Sequence, residues 1–247
     1  MKNSILDNIT IVLVGTTHPG NIGAAARAMK TMDITRLALV TPKIFPSAEA
    51  SARAAGADDV LAAVSIHDTL QEAVQDCVLV YGTSARLRSL PCPVVAPEQA
   101  AAELVEQARL SSRTAIVFGR ERTGLANEEL DMCHKMIVIP SSQGFSSLNL
   151  AAAVQIMCYE LCKNIAEGRE PDMTDGGKPA KVTAAELDHL YAHLQECLVE
   201  IGFLDLNKPR RLMRRLKQLF NRSGLDKNEY NILRGILTAV QESVRKK

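Results

Sequence analysis

The sequence predicts an α/β fold built on a parallel sheet with helices on both faces. Five short runs are apolar throughout, which is typical of strands buried on both sides: Ile9–Val14, Leu37–Val40, Cys77–Tyr81, Ala115–Phe118 and Met136–Ile139. Helix-like stretches separate these runs at Ile22–Met32, Thr69–Asp76, Pro97–Ala108 and Asn127–Cys133, the last with Asn127 as its expected N-cap. This alternation of strands and helices favours a sheet covered by helices on both faces.

The chain beyond Leu148 predicts one more buried helix and then a helical appendage. The stretch Asn149–Leu161 is apolar nearly all round, so we expect it to be buried in the core or against a second subunit. Two prolines and three glycines then indicate a linker. A TxxE capping box at Thr183–Glu186 opens a helix, and two further helical stretches follow at Pro209–Phe220 and Asn228–Lys246.

Charge is distributed unevenly along the chain. Residues 1–177 hold 15 Lys and Arg against 20 Asp and Glu, whereas the remaining 70 residues hold 14 against 8. A basic segment beside an acidic domain favours contact with a polyanion such as RNA, although a solvated helix face is an open alternative. The cations expected to contact phosphates are Arg210, Arg211, Arg214, Arg215 and Lys217. We therefore predict a main domain at 1–166, a linker at 167–180 and a basic helical domain at 181–247.

Composition and motifs disfavour several classes of protein. No apolar run approaches the ~20 residues that cross a bilayer, and no secretion signal opens the chain, so we expect a cytoplasmic protein without a membrane span. Six scattered cysteines without CxxC pairs favour reduced core thiols over a metal site. The sequence also lacks GxGxxG, GxxxxGK[ST] and any apparent Ser-His-Asp set, which disfavours dinucleotide, P-loop and hydrolase chemistry.

Four loops that leave the predicted strands are rich in glycine and small polar residues. They are Gly15–Gly23, Gly82–Arg86, Gly119–Leu125 and Pro140–Asn149. In open parallel sheets, ligands bind at the carboxyl ends of the strands. Loops with few bulky side chains leave backbone N–H and C=O groups accessible to a flat heterocycle and a small polar ligand. The loops alone do not identify that ligand.

In this order, the loops resemble the motifs of the SPOUT methyltransferases, and among them the TrmH-like RNA ribose methyltransferases. The matching residues are Asn21-x-Gly23-x-x-x-Arg27, Phe118-Gly119-x-Glu121-x-x-Gly124-Leu125, and Pro140 with Ser146-Ser147-Leu148-Asn149-Leu150. Thr83-Ser84-Ala85 and Gly119-Arg120-Glu121-Arg122 are similar to the TrmJ group, which methylates the ribose at position 32 of the tRNA anticodon loop. The resemblance covers about residues 9–164.

The resemblance implies a C-terminal trefoil knot, a homodimer and S-adenosylmethionine bound in the knot. It assigns the cofactor to Thr83, Ser84, Ala85, Gly119, Ile139, Ser146, Ser147 and Leu148. It also implies that Arg27 acts on the ribose hydroxyl, while Asn21, Glu121 and Asn149 hold Arg27 and the substrate in place. Because a guanidinium stays protonated, a hydrogen bond to the hydroxyl or a phosphate is easier than action as a base. An ordinary ion pair between Arg27 and Glu121 is the structural alternative.

The predicted function is that of an S-adenosylmethionine-dependent tRNA 2′-O-methyltransferase that acts on cytidine or uridine at position 32. No metal is expected, because a sulfonium is already an activated leaving group. Gly15, Asp33 and Ser141–Phe145 depart from the family pattern, so the exact nucleotide stays open, and so does an rRNA ribose as the target. A base methyltransferase from elsewhere in the SPOUT class is the nearest alternative. A non-enzymatic RNA-binding protein would explain only the basic appendage. A nucleotide-dependent oxidoreductase would explain the sheet and the glycines, but its expected fingerprint is missing.

Overall fold

A computed structural model describes residues 5–85, 93–142, 144, 147–167, 180–206 and 211–245. These ranges contain seven strands: β1 (Ile9–Val14), β2 (Leu37–Val40), β3 (Ser65–His67), β4 (Cys77–Thr83), β5 (Val94–Val95), β6 (Arg113–Phe118) and β7 (Lys135–Ile137). They form one sheet of order β3-β2-β1-β6-β4-β7-β5, and every neighbouring pair is parallel. The parallel sheet predicted from the apolar runs is confirmed.

The two edge strands, β3 and β5, were not predicted. Ser65 and Ile66 are exposed in β3, and Val94 is exposed in β5. Short edge strands of this kind lack the continuous apolar run that marks a strand buried on both faces. The predicted run at Met136–Ile139 also differs from β7, which begins one residue earlier and leaves Ile139 in the following loop.

Seven helices surround the sheet in the described part of the main domain. They are α1 (Pro19–Lys30), α2 (Ala48–Ala54), α3 (Asp58–Ala62), α4 (Leu70–Val74), α5 (Pro97–Arg109), α6 (Asn127–Leu130) and α7 (Leu150–Ala166). Helices α2 and α3 were not predicted. The prediction that Asn127 caps α6 is wrong: Ala126 is the N-cap, and its N–H is satisfied by the Glu129 side chain at 2.6 Å.

Helices pack on both faces of the sheet, as predicted. Alternate β1 residues enter different cores, because successive side chains of a strand point to opposite faces. Ile11 and Leu13 pack in the core formed with α1, α5 and α7. Val12 and Val14 pack in the second core, which includes residues of α4 and α6. Four of the six cysteines, Cys77, Cys133, Cys158 and Cys197, are buried, as expected for core thiols.

Helix α7 is buried on one side only. Its Val154, Met157, Cys158 and Leu161 are fully buried against the main core. Its other side faces outward, where Tyr159 is 52% exposed. Within this chain, therefore, only one face of the helix predicted to be buried is in fact buried.

The C-terminal appendage is helical, as predicted. It contains α8 (Ala184–Glu200), α9 (Leu212–Ser223) and α10 (Lys227–Arg245). The predicted capping box is confirmed: the Thr183 hydroxyl accepts from the Glu186 N–H, and the Glu186 carboxylate accepts from the Thr183 N–H. A small core that includes Leu190 and Tyr191 holds the unit together.

The appendage rests on the main domain through α8. The Ala185 N–H donates to the Gln75 carbonyl oxygen at 3.1 Å, next to α4.

None of the helices in the described ranges combines the length and the apolar character that a membrane span requires. The domain boundaries at 166 and 181 and the trefoil knot stay predictions, and most of the predicted linker lies outside the described residues.

Candidate active site

A cavity of about 400 Å³ opens at the carboxyl ends of β4, β6 and β7, beside the start of α7. Seven of the eight residues predicted to bind the cofactor line it: Thr83, Ser84, Ala85, Gly119, Ile139, Ser147 and Leu148. Ser146, the eighth, lies outside the described residues. The structure thus brings together loops that are far apart in sequence.

The sequence analysis missed several residues that line the same cavity. Ile137, Leu150 and Ala153 supply apolar surface, and Arg120 and Arg122 supply cations. Leu150, Arg120 and Arg122 belong to the quoted motifs but were not assigned to the cofactor. Ile137 ends β7, and Leu150 begins α7. Their positions could have predicted them, because the ends of the strands and the start of the following helix meet at this edge of the sheet.

Hydrogen bonds join the strand exits beneath the cavity. The Thr83 hydroxyl donates to the Val117 carbonyl oxygen at 3.1 Å, and the Ser84 N–H donates to the Ile137 carbonyl oxygen at 3.0 Å. These bonds tie the ends of β4, β6 and β7 to one another. The cavity therefore has a floor whose main-chain groups are fixed in position.

Gly119 is required by a close approach of two backbone segments. The loop that follows it closes on itself, since the Gly124 N–H donates to the Arg120 carbonyl oxygen at 2.9 Å. A Cβ on residue 119 would lie 2.2 Å from the carbonyl carbon of Gly124. No real Cβ contact is that short, so a larger residue would displace the loop that lines the cavity.

Glu121 fastens this loop to the loop that leaves β1. Its carboxylate accepts from the Thr17 N–H at 3.1 Å, the Thr17 hydroxyl at 2.9 Å, the His18 N–H at 3.2 Å and the Asn21 side-chain amide at 3.0 Å. Burial would raise the pKa of this carboxyl, but the hydrogen bonds to its ionised form outweigh burial and lower the pKa to about 2. Glu121 is therefore an ionised structural acceptor at neutral pH.

Asn21 and Asn149 extend the same network to α7. The Asn149 amide donates to the Asn21 side-chain oxygen at 3.0 Å, and the Asn149 side-chain oxygen accepts from the Ala151 N–H at 2.9 Å as the N-cap of α7. Three residues predicted for the catalytic centre thus form one continuous chain of hydrogen bonds. Asn21, Glu121 and Asn149 hold three loops together around the mouth of the site.

Arg27 lies apart from this network. Its side chain is exposed on α1, and within the described residues its guanidinium forms no ion pair or side-chain hydrogen bond. The alternative of an Arg27–Glu121 ion pair is not realised: the Glu121 carboxylate accepts instead from Thr17 and His18 of the β1 loop and from Asn21 of α1. None of the five N–H donors of Arg27 is occupied by a residue that the structure describes.

Arg120 explains why a glycine follows β1. Its guanidinium binds both oxygens of Glu129, at 2.9 and 3.0 Å, and this pairing raises its pKa. The side chain crosses Gly15, where a Cβ would lie 2.7 Å from the Arg120 Nε. Gly15 also has a φ of +59°, which favours glycine. The backbone conformation and the crossing side chain both favour a glycine at residue 15.

The predicted RNA-binding residues of α9 divide into two groups. Arg211 and Arg215 are exposed, and so is Arg222, which the sequence analysis missed although its spacing places it on the same face. Arg214 instead lies 2.7 Å from the Asp131 carboxylate, and Lys217 stands 5.4 Å from the centre of the Tyr191 ring. Arg210 lies outside the described residues.

Comparison with known proteins identifies the class. Residues 8–159 match the model of the SpoU rRNA Methylase family, which is more than half of the chain. The chain therefore belongs to this family of RNA methyltransferases. Residues 185–247 match the model described as tRNA methyltransferase TrmJ, C-terminal domain.

Full-length relatives specify the group within that family. The tRNA (cytidine/uridine/adenosine-2′-O-)-methyltransferase TrmJ of Pseudomonas aeruginosa is 48% identical over 255 residues, covering 98% of this chain and 96% of that protein. The tRNA (cytidine/uridine-2′-O-)-methyltransferase TrmJ of Salmonella typhimurium is 44% identical, covering 96% and 98%. The crystal structure of TrmJ from Z. mobilis ZM4 superposes with a TM-score of 0.82 at 34% identity, covering 94% and 98%. These similarities assign the chain to the TrmJ group.

Proposed function

We propose that this chain is an S-adenosylmethionine-dependent tRNA 2′-O-methyltransferase that acts on the ribose of cytidine or uridine at position 32 of the anticodon loop. The observation that carries the proposal is the cavity at the strand exits, lined by the motif residues, in a chain whose relatives named for this reaction match it from end to end. Position 32 itself comes from the resemblance to the TrmJ group.

The residues around the cavity fit S-adenosylmethionine. The volume of about 400 Å³ falls in the range usual for small-molecule sites, and Ile137, Ile139 and Leu150 offer apolar surface for an adenine ring. Thr83, Ser84, Ser147 and the backbone of Gly119 place polar groups in the lining of the cavity. When bound, the cofactor supplies a methyl group on a sulfonium, and the protein has only to bind and orient it.

Arg27 is the residue proposed to contact the methyl acceptor, the ribose hydroxyl. A ribose hydroxyl has a pKa far above neutrality, so the enzyme must position its oxygen and assist the loss of its proton. Arg27 would donate hydrogen bonds to the hydroxyl or to the adjacent phosphate, since its guanidinium remains protonated. Asn21, Glu121 and Asn149 would keep the β1 loop and the start of α7 in the arrangement that this contact needs.

The exposed cations of α9 supply a surface for the tRNA backbone. Arg211, Arg215 and Arg222 share one face of the helix. Phosphate contacts of this kind give affinity and register without reading sequence.

The outward face of α7, with Tyr159 and Ile156, would form a homodimer interface, because an apolar helix face of this kind is usually covered. We place the enzyme in the cytoplasm, where its tRNA substrate is found.

The experiment incubates the protein with an unmodified tRNA transcript and methyl-labelled S-adenosylmethionine, followed by nuclease digestion and mass spectrometry. Label on a ribose in the anticodon loop supports the proposal, and label on a base would indicate a base methyltransferase instead. Parallel reactions with rRNA fragments test the rRNA alternative. Binding of RNA without any transfer of label would favour the non-enzymatic RNA-binding alternative.

A further inference from the structure

The helix α9 presents two faces with different surroundings. Arg211, Arg215 and Arg222 are exposed, with the i, i+4 and i+11 spacing of a single helix face. Arg214 and Asn221 also share a face, at i and i+7, but this face is turned toward the main domain. Cations that are neighbours in sequence are therefore in different environments.

Asp131, the C-cap residue of α6, contacts the inward face of α9. The Arg214 Nε lies 2.7 Å from its carboxylate, and the Gln218 amide donates to the same carboxylate at 3.3 Å. The Asn221 amide donates to the Asp131 main-chain oxygen at 2.9 Å. The Tyr191 hydroxyl of α8 donates to the Asn221 side-chain oxygen at 2.6 Å, which ties this contact to the appendage's own core.

The contact is sheltered from solvent. The side chains of Arg214 and Asp131 are 22% and 14% exposed, and Asn221 is 6% exposed. A fully exposed ion pair contributes little, because solvent and salt screen it. A sheltered, multiply hydrogen-bonded pair is screened less, and removal of one partner leaves the other charge poorly solvated. The pair therefore fixes the position of α9 relative to α6 more firmly than a surface salt bridge would.

The same short helix also holds the loop that lines the cavity. Glu129, two residues before Asp131, binds Arg120 through both carboxylate oxygens, and Arg120 lines the cavity. Helix α6 thus contacts the cavity loop through one carboxylate and the basic appendage through another. The position of α9 is defined with respect to the candidate active site.

We propose that Asp131 and Arg214 are positioning residues that fix the appendage on the main domain, so that RNA bound along the exposed face of α9 approaches the cavity in one orientation. This inference rests on the proposed function, because it takes that RNA to be the methyl acceptor. Arg214 acts through Asp131 and not through a phosphate. Its role differs from that of its neighbour Arg215.

The test compares Asp131→Asn with Arg215→Gln in the full-length chain. Asp131→Asn removes a negative charge, so simple electrostatic attraction would leave tRNA binding equal or tighter. If Asp131 positions the appendage, kcat and kcat/KM for tRNA instead fall by about tenfold, while the affinity for S-adenosylmethionine is unchanged. Arg215→Gln, which removes an exposed cation, should raise KM and flatten the salt dependence without lowering kcat.

Arg214→Gln and the double variant complete a thermodynamic cycle. If the two residues act as a pair, the double variant loses no more kcat/KM than the worse single variant. Additive losses, or wild-type kcat/KM in Asp131→Asn, would overturn the proposal. So would an Arg214→Gln variant that matches Arg215→Gln in every kinetic parameter.

Amide hydrogen exchange provides a measurement that does not depend on catalysis. In Asp131→Asn we expect α9 amides to exchange faster while those of β1 and β6 keep wild-type protection, which also verifies that the main domain is folded. Unchanged amide exchange in α9 would contradict the proposal that Asp131 holds α9 on the main domain. If the wild-type protein fails to methylate tRNA, the proposed function fails, yet the exchange result still decides whether Asp131 holds the appendage.

Discussion

The replacement Glu121→Gln tests the network that joins the loops of the site. The carboxylate accepts four hydrogen bonds from Thr17, His18 and Asn21. A glutamine keeps one acceptor oxygen but turns an NH₂ group toward donors, so about two charge-assisted bonds are lost. At about 1–1.5 kcal/mol each, discounted for partial exposure, the expected loss is about 2 kcal/mol in the free energy of unfolding.

The assay is thermal unfolding followed by circular dichroism at pH 7. A loss of about 2 kcal/mol corresponds to a decrease in Tm of roughly 4–8 °C for a chain of this size. Glu128→Gln is the matched control, because Glu128 is exposed on the neighbouring helix α6 and the substitution changes the charge equally. Equal Tm values for the two variants would refute the assignment of Glu121 as the junction of the loops.

The pH dependence of the same variant has a defined sign. The folded protein lowers the pKa of Glu121 to about 2, whereas the ordinary value is 4.5. A carboxyl with a lowered folded pKa contributes stability that is fully present above the unfolded pKa and is lost as pH falls toward the folded pKa. The Tm difference between wild type and Glu121→Gln should therefore be constant above about pH 5 and shrink as pH falls from about 4.5 toward 2.

Three further variants separate the parts of the site. Arg27→Ala should abolish methyl transfer while calorimetry finds unchanged S-adenosylmethionine binding, because Arg27 is expected to contact the acceptor; retained turnover would remove it from the mechanism. Gly119→Ala places a Cβ 2.2 Å from the backbone of Gly124, so cofactor affinity should fall by about tenfold or more, and an unchanged Kd would contradict the assigned cavity. The double change Arg211→Gln and Arg215→Gln should reduce the slope of log K against log salt for tRNA by roughly 1.4–1.8. A slope equal to the wild type would mean that neither cation meets a phosphate.

The sequence alone was sufficient to predict the central strands of the sheet and most of the cofactor residues that line the cavity. The central strands are apolar throughout because helices cover both of their faces, and that pattern is visible in a single sequence. The cavity residues were found through the resemblance to the SPOUT methyltransferases, whose motifs lie in the loops that follow those strands. Edge strands β3 and β5 escaped prediction, since their exposed residues carry no such pattern.

The environment of individual side chains could not be predicted. Arg214 and Arg215 are equivalent in sequence, yet only Arg214 meets Asp131, which lies 83 positions away along the chain. A Cβ at Gly15 would meet the side chain of Arg120, again from a distant loop. Local sequence records helix and strand periodicity, but it contains no signal for a partner brought close by the tertiary fold.

The most direct test of the central claim replaces a single acceptor hydroxyl. A tRNA with 2′-deoxycytidine at position 32 and a matched tRNA with the deoxy substitution at position 33 are each incubated with methyl-labelled S-adenosylmethionine. The account predicts that the first tRNA takes up no label while the second is labelled like the unsubstituted tRNA. Full labelling of the tRNA that lacks the hydroxyl at position 32 would contradict the assignment of that ribose as the acceptor.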